Sequence, residues 1–251
     1  MAKEIIPARP TEPRLAIDPY LDIAEFYFDT IQGEGIEIGA PAAFLRLQNC
    51  VLNCKWCDTK EVWRYGNPYS FDELFQLMEE SEVIHRFETG QHLVVTGGSP
   101  LMQQESLVKF FILFKERYSF QPFIEIENEC VVMPLADMLR FVDVWNNSPK
   151  LHNSRNGKFL RYKPEIIKEM SILANSWFKF VVYDTHDWEE IQEDFLFPGL
   201  INIDQIILMP RGETIEELTK NREYVVNLAI ENNVRYCTRE HVVLWNTTTG
   251  V

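Results

Sequence analysis

An open, partial β/α barrel in a single domain is the fold class the sequence predicts, and three observations predict it. Apolar, strand-like runs alternate with amphipathic helices after residue 22, the order of βα units around a parallel sheet. The runs number about six plus a terminal one, short of the eight strands of a complete barrel. The chain has 251 residues, enough for one large domain with its own core. A doubly wound sheet is compatible with the same alternation, because periodicity does not separate the two.

Residues 1–22 read as an extended N-terminal arm, polar and rich in proline (Pro7, Pro10, Pro13, Pro19). Residues 23–251 form the domain. Its strands are expected at 42–47, 92–96, 122–127, 141–145, 178–182, 205–209 and 241–245. Most are continuous apolar runs, as in parallel strands covered on both faces. Ser70 with Glu73 forms a capping box ahead of Leu74, Phe75 and Met78, which share one helix face. A second helix runs through 107–114. Asp187 is placed to cap a helix through Ile191. Thr214 with Glu217 opens a helix that carries Leu218, Val225 and Leu228.

Composition narrows the function. The formal net charge of -14 disfavours long-range attraction to nucleic acid or to an anionic membrane. No run of about 18 apolar residues suggests a membrane span, and the first residues lack the apolar core of a signal peptide. Five cysteines, three of them bunched, fit a reducing cytoplasm and metal binding better than a disulfide framework. The segment 146–168 is locally basic, with Lys150, Arg155, Lys158, Arg161, Lys163 and Lys168 against a single acid, Glu165. A solvated loop accounts for most of that charge.

The bunched cysteines are Cys50, Cys54 and Cys57, at C-x3-C-x2-C spacing. Thiolates are soft ligands that suit iron–sulfur clusters, zinc and copper(I). A structural zinc site takes four ligands, and no fourth cysteine lies near. Three thiolates favour a four-iron cluster with one iron open. Such an iron can bind the amino and carboxylate groups of S-adenosylmethionine, whose reductive cleavage yields a 5′-deoxyadenosyl radical.

The cysteine spacing, with Trp56 before the last thiol, resembles the radical S-adenosylmethionine superfamily. The surroundings are more specific. Thr30 to Gly35 (T-I-Q-G-E-G), Gly39-Ala40-Pro41, Phe44 to Leu47 and Cys57-Asp58-Thr59 resemble the 7-carboxy-7-deazaguanine synthase family. So do Thr96-Gly97-Gly98, Ile124 to Glu127, Ser148 to Leu151, Leu208 to Pro210 and the tail from Thr238 to Val251.

The resemblance implies a radical-type partial barrel and a lyase that converts 6-carboxy-5,6,7,8-tetrahydropterin to 7-carboxy-7-deazaguanine with loss of ammonia, a step toward 7-deazapurines such as queuosine. It implies a [4Fe-4S] cluster, S-adenosylmethionine and Mg2+ as cofactors, an external electron donor of flavodoxin-like kind, and a homodimer. Neither nucleic acid nor membrane is expected as a partner.

Site residues follow from the same resemblance. Cys50, Cys54 and Cys57 hold the cluster. The Thr59 hydroxyl, a hard oxygen, suits magnesium. Ile31, Gln32, Gly33, Glu34, Arg46, Thr96, His241 and Val251 face the pterin, with Arg46 on its carboxylate. Read without the resemblance, Thr59 is a turn residue, Arg46 half of a structural ion pair and His241 the polar opening of a last strand. Gly97, Gly98, Ser99, Glu127, Ser148, Pro149, Lys150, Met209 and Pro210 face the cofactor. One departure stands out: the family carries Gly-Gly-Glu where this chain has Gly97-Gly98-Ser99. The carboxylate expected to meet the cofactor's ammonium is missing, with Glu127 or Glu129 as candidates to replace it. Cys130 lies near the expected cofactor region and reads as a small buried thiol.

Three other readings share some of these residues. A glycyl-radical activase would need the cysteines but not Gln32, Glu34 and Thr59. A zinc or redox module would use the thiols without turnover. A family member impaired by Ser99 would bind its cofactor poorly.

Overall fold

Residues 3–8 and 15–248 are described by the computed structural model. The fold starts with an antiparallel pair, β1 (Lys3–Ile6) against β2 (Tyr20–Ile31). β3 (Pro41–Leu47) runs antiparallel to β2. β4 (Asn67–Ser70) pairs with the beginning of β2. From β3 the sheet continues in parallel through β5 (His92–Gly97), β6 (Phe123–Asn128), β7 (Val144–Asn147), β8 (Ser176–Val182), β9 (Ile206–Pro210) and the short β10 (Arg235–Tyr236). The ten strands form one sheet in the order β1-β2-β3-β5-β6-β7-β8-β9-β10, with β4 attached to β2. β1 and β10 stand at its two ends and do not pair, so the barrel is open.

The helices are α1 (Lys60–Trp63), α2 (Phe71–Glu80), α3 (Val83–Glu88), α4 (Gln104–Tyr118), α5 (Lys158–Arg161), α6 (Pro164–Ser171), α7 (Thr185–Ile191), α8 (Ile215–Glu231) and α9 (Glu240–Trp245). Their starts follow local chemistry. Ser70 and Glu73 close a reciprocal capping box at α2. The Thr214 hydroxyl accepts from the Glu217 amide at 3.3 Å to open α8, and Pro164 sits in the first turn of α6, where its missing N–H costs nothing. None of the described helices is long and apolar enough to cross a membrane.

The parallel strands have two different faces, because successive side chains alternate. Ala43, Leu45 and Leu47 of β3, Leu93 and Val95 of β5, Ile124 and Ile126 of β6, and Phe178, Phe180 and Val182 of β8 point outward into one large core with the helices. α2 and α4 meet there through phenylalanines, with the rings of Phe75 and Phe110 stacked 5.2 Å apart. The inward positions carry Arg46, Thr96, Glu125, Glu127 and Lys179 between two small apolar clusters, Tyr27–Ala42–Phe44–Val94 and Val181–Ile207–Met209–Cys237. Strands expected to be apolar on both faces therefore place charged groups inside the barrel.

Several sequence expectations are corrected. The run 241–245 is the helix α9, not a strand. β10 already takes the sheet edge at Arg235–Tyr236, and α9 buries Val242 while leaving Val243 and Leu244 exposed. The cap of α7 is Asp184, and Asp187 is its partner inside the first turn, accepting from the Tyr183 and Asp184 amides at 2.7 and 3.2 Å. The strand expected at 141–145 begins only at Val144, after a 3₁₀ turn over Met138–Arg140. Within the expected arm, Lys3–Ile6 is an edge strand and Tyr20 already belongs to β2. β2 itself escaped notice because two register shifts break its alternation.

Candidate active site

The carboxyl ends of the parallel strands open into a cavity of about 370 Å³, within the range for small-molecule sites. Its upper wall is the loop that follows β3, which carries the three clustered thiols. Two glycines dock that loop on the sheet. A side chain at Gly98 would strike the Asn49 carbonyl at 2.0 Å, and one at Gly97, whose φ is +145°, would strike the Leu47 backbone. Only glycine allows this approach of two backbones. The Ser99 amide then donates to Asn49 O at 2.8 Å. On the other side the loop is clasped by residues after β7. Asn53 N donates to Asn156 Oδ1 at 3.0 Å, Lys55 N to Ser154 O at 2.9 Å, and Trp56 Nε1 to Asn153 Oδ1 at 3.1 Å.

Cys50, Cys54 and Cys57 all line the cavity, and each sulfur receives a donor. Cys50 accepts from the Leu52 amide at 3.4 Å and from the Ser99 hydroxyl at 3.5 Å. Cys54 accepts from Asn156 Nδ2 at 3.2 Å, and Cys57 from Trp63 Nε1 at 3.4 Å. Burial pushes the Cys50 and Cys54 thiols above their ordinary value, so neither is an activated nucleophile. A bound metal would deprotonate them outright.

Among the described residues, three candidate ligand atoms come within 4.8 Å of one another only at His152, Asp184 and Asp187. The three cavity thiols therefore do not all lie within 4.8 Å of one another, which is not the arrangement of a closed single-zinc site. The His152 group is accounted for without a metal. Asp187, in the first turn of α7, accepts from the Tyr183 amide and from Asn153, while His152 pairs with Glu190 at 2.8 Å.

Below the thiols lie the charged inward residues. Arg46 Nε donates to Glu25 at 2.6 Å. Burial opposes the guanidinium's charge, but Glu25, Tyr27 and Glu127 together outweigh it and raise the Arg46 pKa. The pair uses Nε, Tyr27 also lies in hydrogen-bonding reach of the guanidinium, and the Arg46 and Tyr27 side chains both line the cavity. Glu34 is held by Lys179 through one oxygen and by Arg239 Nε, at 2.8 Å, through the other. Burial pushes its carboxyl up, yet these cations prevail and hold it well below the usual range. Arg239 also pairs with Asp58 and donates to Gly212 O at 2.7 Å, so it ties the start of α9 to the cysteine loop. Gln32 is buried, donating to Glu125 at 3.0 Å and accepting from the Glu34 amide at 3.1 Å.

His241 stands over Gly33, where a side chain would meet its Nδ1 at 2.1 Å. Its Nε2 lies 3.3 Å from Arg239 Nη2. Arginine only donates, so Nε2 accepts and a neutral ring carries its proton on Nδ1. Burial and the neighbouring Arg239 lower the His241 pKa against the pull of Glu34. Gly35, at φ +78°, faces Asn146, whose side-chain N and O are both buried without a partner.

The cavity thus brings together most residues singled out from sequence. Ile31, Gln32, Glu34, Arg46, Thr59, Thr96, Gly97, Gly98, Glu127, Ser148, Lys150, Met209, Pro210 and His241 all line it. Thr59 Oγ1 lies 3.8 Å from Cys57 Sγ and makes no capping bond to α1. Thr96 Oγ1 donates to Glu127 at 2.7 Å, and Lys150 Nζ to Ser148 Oγ at 2.8 Å. Gly33 sits beneath His241 rather than in the wall. Ser99 is fully buried under Cys50, its hydroxyl accepting from the Val51 amide at 3.0 Å. Pro149 does not line the cavity, and Val251 lies outside the described residues. Cys130 points into the helix-side core, with burial pushing its thiol far up. Sequence reasoning missed Glu25, Lys179, Arg239 and Asn156. Lys179 inside an apolar run carried the same signal as Arg46.

Comparisons with known proteins converge on one family. Residues 31–144 match the family described as 4Fe-4S single cluster domain. The chain is 31% identical over 226 residues to 7-carboxy-7-deazaguanine synthase of Pyrobaculum aerophilum, covering 89% of this chain and 94% of that protein. It is 29% identical to the enzyme of the same name from Halobacterium salinarum, covering 91% of each. Among solved structures, QueE from Escherichia coli shares the fold with a TM-score of 0.66 at 23% identity, covering 88% of this chain and 95% of that one. With these relatives matched over nearly their whole length, and with three donor-supported thiols at the mouth of the barrel, the chain belongs to the 7-carboxy-7-deazaguanine synthase family.

Proposed function

We infer that the chain is a radical S-adenosylmethionine lyase that converts 6-carboxy-5,6,7,8-tetrahydropterin to 7-carboxy-7-deazaguanine with loss of ammonia. The observation that carries this reading is the cavity itself: three thiols with N–H or O–H donors stand above a floor of buried, mostly paired charges. The thiols suit a [4Fe-4S] cluster, whose chemistry with S-adenosylmethionine, when both are bound, is reductive generation of a hydrogen-atom abstractor.

The chain's own residues then bind and orient the pterin. The outer edge of the Arg46 guanidinium, braced by Glu25, receives the substrate carboxylate. Glu34 stays ionised between Lys179 and Arg239 and keeps lone pairs for the N–H groups of the pterin's pyrimidinone edge. Neutral His241 presents its Nδ1 proton beside Gly33. Thr59, with its hydroxyl uncommitted to α1 and next to Cys57, supplies an oxygen for Mg2+. Gly97, Gly98, Ser148, Lys150, Met209 and Pro210 face the cofactor. The resemblance set out above further supports a homodimer served by an external one-electron donor.

The test is anaerobic reconstitution followed by turnover. A brown protein with about four irons per chain that forms deazaguanine product from the carboxy-tetrahydropterin, S-adenosylmethionine and magnesium is expected. Cys54→Ala should lose both colour and product. A colourless zinc protein, or a loaded protein that forms no product, would remove the reading.

A further inference from the structure

The basic segment after β7 divides into used and unused charge. Lys150 faces the cavity and donates to Ser148. Arg161 is buried and pairs with Glu190 at 2.6 Å. Lys168 donates to Gly199 O at 2.8 Å, and Lys158 pairs with Asp194 at 2.6 Å. Arg155 is different: it is exposed, and among the described residues no carboxylate pairs with it. Lys55, in the cysteine loop, is likewise exposed and without an ion pair among the described residues. Its amide donates to Ser154 O at 2.9 Å, so Lys55 and Arg155 extend from adjoining backbones.

Beside these two cations the segment exposes apolar surface. Phe159 is 83% and Leu160 49% exposed, both on the one-turn helix α5, and the Lys163 ammonium lies over the Phe159 ring at 4.7 Å. α5 is fixed to what lies beneath it. Arg161 Nε donates to Asn156 O at 3.2 Å, and Asn156 Nδ2 reaches Cys54 Sγ at 3.2 Å. One partly buried side chain therefore links a thiol of the proposed cluster to this surface. The cavity side of the loop is where cofactor and pterin bind in the proposed reaction, which leaves the outer side for an electron. A cationic rim around exposed aromatic and aliphatic groups fits a protein surface of opposite charge. The chain as a whole carries -14 and repels an acidic partner, so a local cationic patch fixes the orientation in which such a partner docks. Nucleic acid, whose affinity rests on many neutralised phosphates, finds few free cations here.

Resting on the radical S-adenosylmethionine reading above, we propose that Lys55, Arg155 and the exposed Phe159 and Leu160 of α5 form the docking surface for an acidic one-electron carrier protein, whose electron enters the cluster on the Cys54 side. The carrier is oxidised by one electron and the cluster is reduced by one. No bond and no proton moves in this step.

The experiment follows the absorbance of cluster-loaded protein during reduction by two reductants. One is an acidic flavodoxin in its hydroquinone form; the other is dithionite, which is too small to need a docking surface. Lys55→Glu combined with Arg155→Glu should slow reduction by flavodoxin about tenfold or more, the scale of lost electrostatic steering, and leave reduction by dithionite unchanged. A matched control on α4, Lys109→Glu with Lys115→Glu, should slow it far less. Phe159→Ala should weaken calorimetric binding of oxidised flavodoxin, which transfers nothing, by about fivefold or more. Equal slowing by the two charge pairs overturns the proposal. So does a flavodoxin rate that the loop pair leaves unchanged, a dithionite rate that falls with it, or a Phe159→Ala protein that binds like the wild type. An oligonucleotide held by the wild type and released by the loop pair, with the flavodoxin rate untouched, assigns the patch to nucleic acid and overturns it too. Loaded wild type whose cluster dithionite reduces without cleaving S-adenosylmethionine overturns the underlying reading instead, which separates the two failures.

Discussion

Arg46 and Glu25 form a buried pair, and the substrate role proposed for Arg46 makes two separable demands on one side chain. Arg46→Ala removes the partner of a buried carboxylate, a change that costs about 3–5 kcal/mol in stability. It also removes the carboxylate's recognition, so affinity for the carboxy-pterin should fall about tenfold or more while S-adenosylmethionine affinity holds. Thermal melts and calorimetry on the same samples read the two effects, and equal loss of both ligands would contradict the assignment. His241 gives a pH prediction. Its folded pKa lies below the ordinary histidine value of 6.5, so below that value the unfolded state binds more protons than the folded one. The contribution to stability is complete above pH 6.5 and is lost as pH falls from there through the folded pKa. If the neutral ring meets the pterin as proposed, pterin affinity should follow the same course. A His241→Ala variant should flatten that profile between pH 5 and about 7.

The cysteine loop is an element with little hydrogen bonding of its own, shaped by what grips it. Asn156 holds it twice, at the Asn53 amide and at Cys54 Sγ. Donors to cluster sulfurs favour the reduced state, so Asn156→Ala should lower the midpoint potential of the bound cluster, read by a redox titration followed with electron paramagnetic resonance. An unchanged potential would make the contact merely structural. The loop also shows what sequence can and cannot display. Its three thiols, like the Ser70–Glu73 and Thr214–Glu217 caps, are local patterns within a few positions and were legible. The groups that complete the site are not local. Lys179 meets Glu34 across 145 positions, and Arg239 meets it across 205. No periodicity reports such pairs; only the odd charge within an apolar run hints at them. The misreading of 241–245 has a related cause, since five mostly apolar residues are too few to fix a period.

At the scale of the whole molecule, the barrel is a shell with an apolar outside and a charged inside, and the two are stabilised differently. The outward core is ordinary hydrophobic packing. The cavity wall is held by ion pairs and by a loop gripped between the sheet and the residues after β7. Loading the cluster should therefore raise the unfolding temperature, since a ligand bound only by the folded state adds to its stability. Chelation under anaerobic conditions should reverse the shift while the far-ultraviolet circular dichroism stays largely unchanged. Loss of most secondary structure on chelation would show instead that the shell depends on the metal.

Arg239 bridges Asp58 in the cysteine loop and Glu34 at the end of β2, and it does so from 181 positions beyond Asp58. A chain is synthesised from its N-terminus and folds as it emerges. The thiols are exposed to the cell well before the residue that shuts their wall exists. Closure of the site is thus a late event in the life of each new molecule, and the interval before it is when iron and sulfide can enter the open loop unhindered.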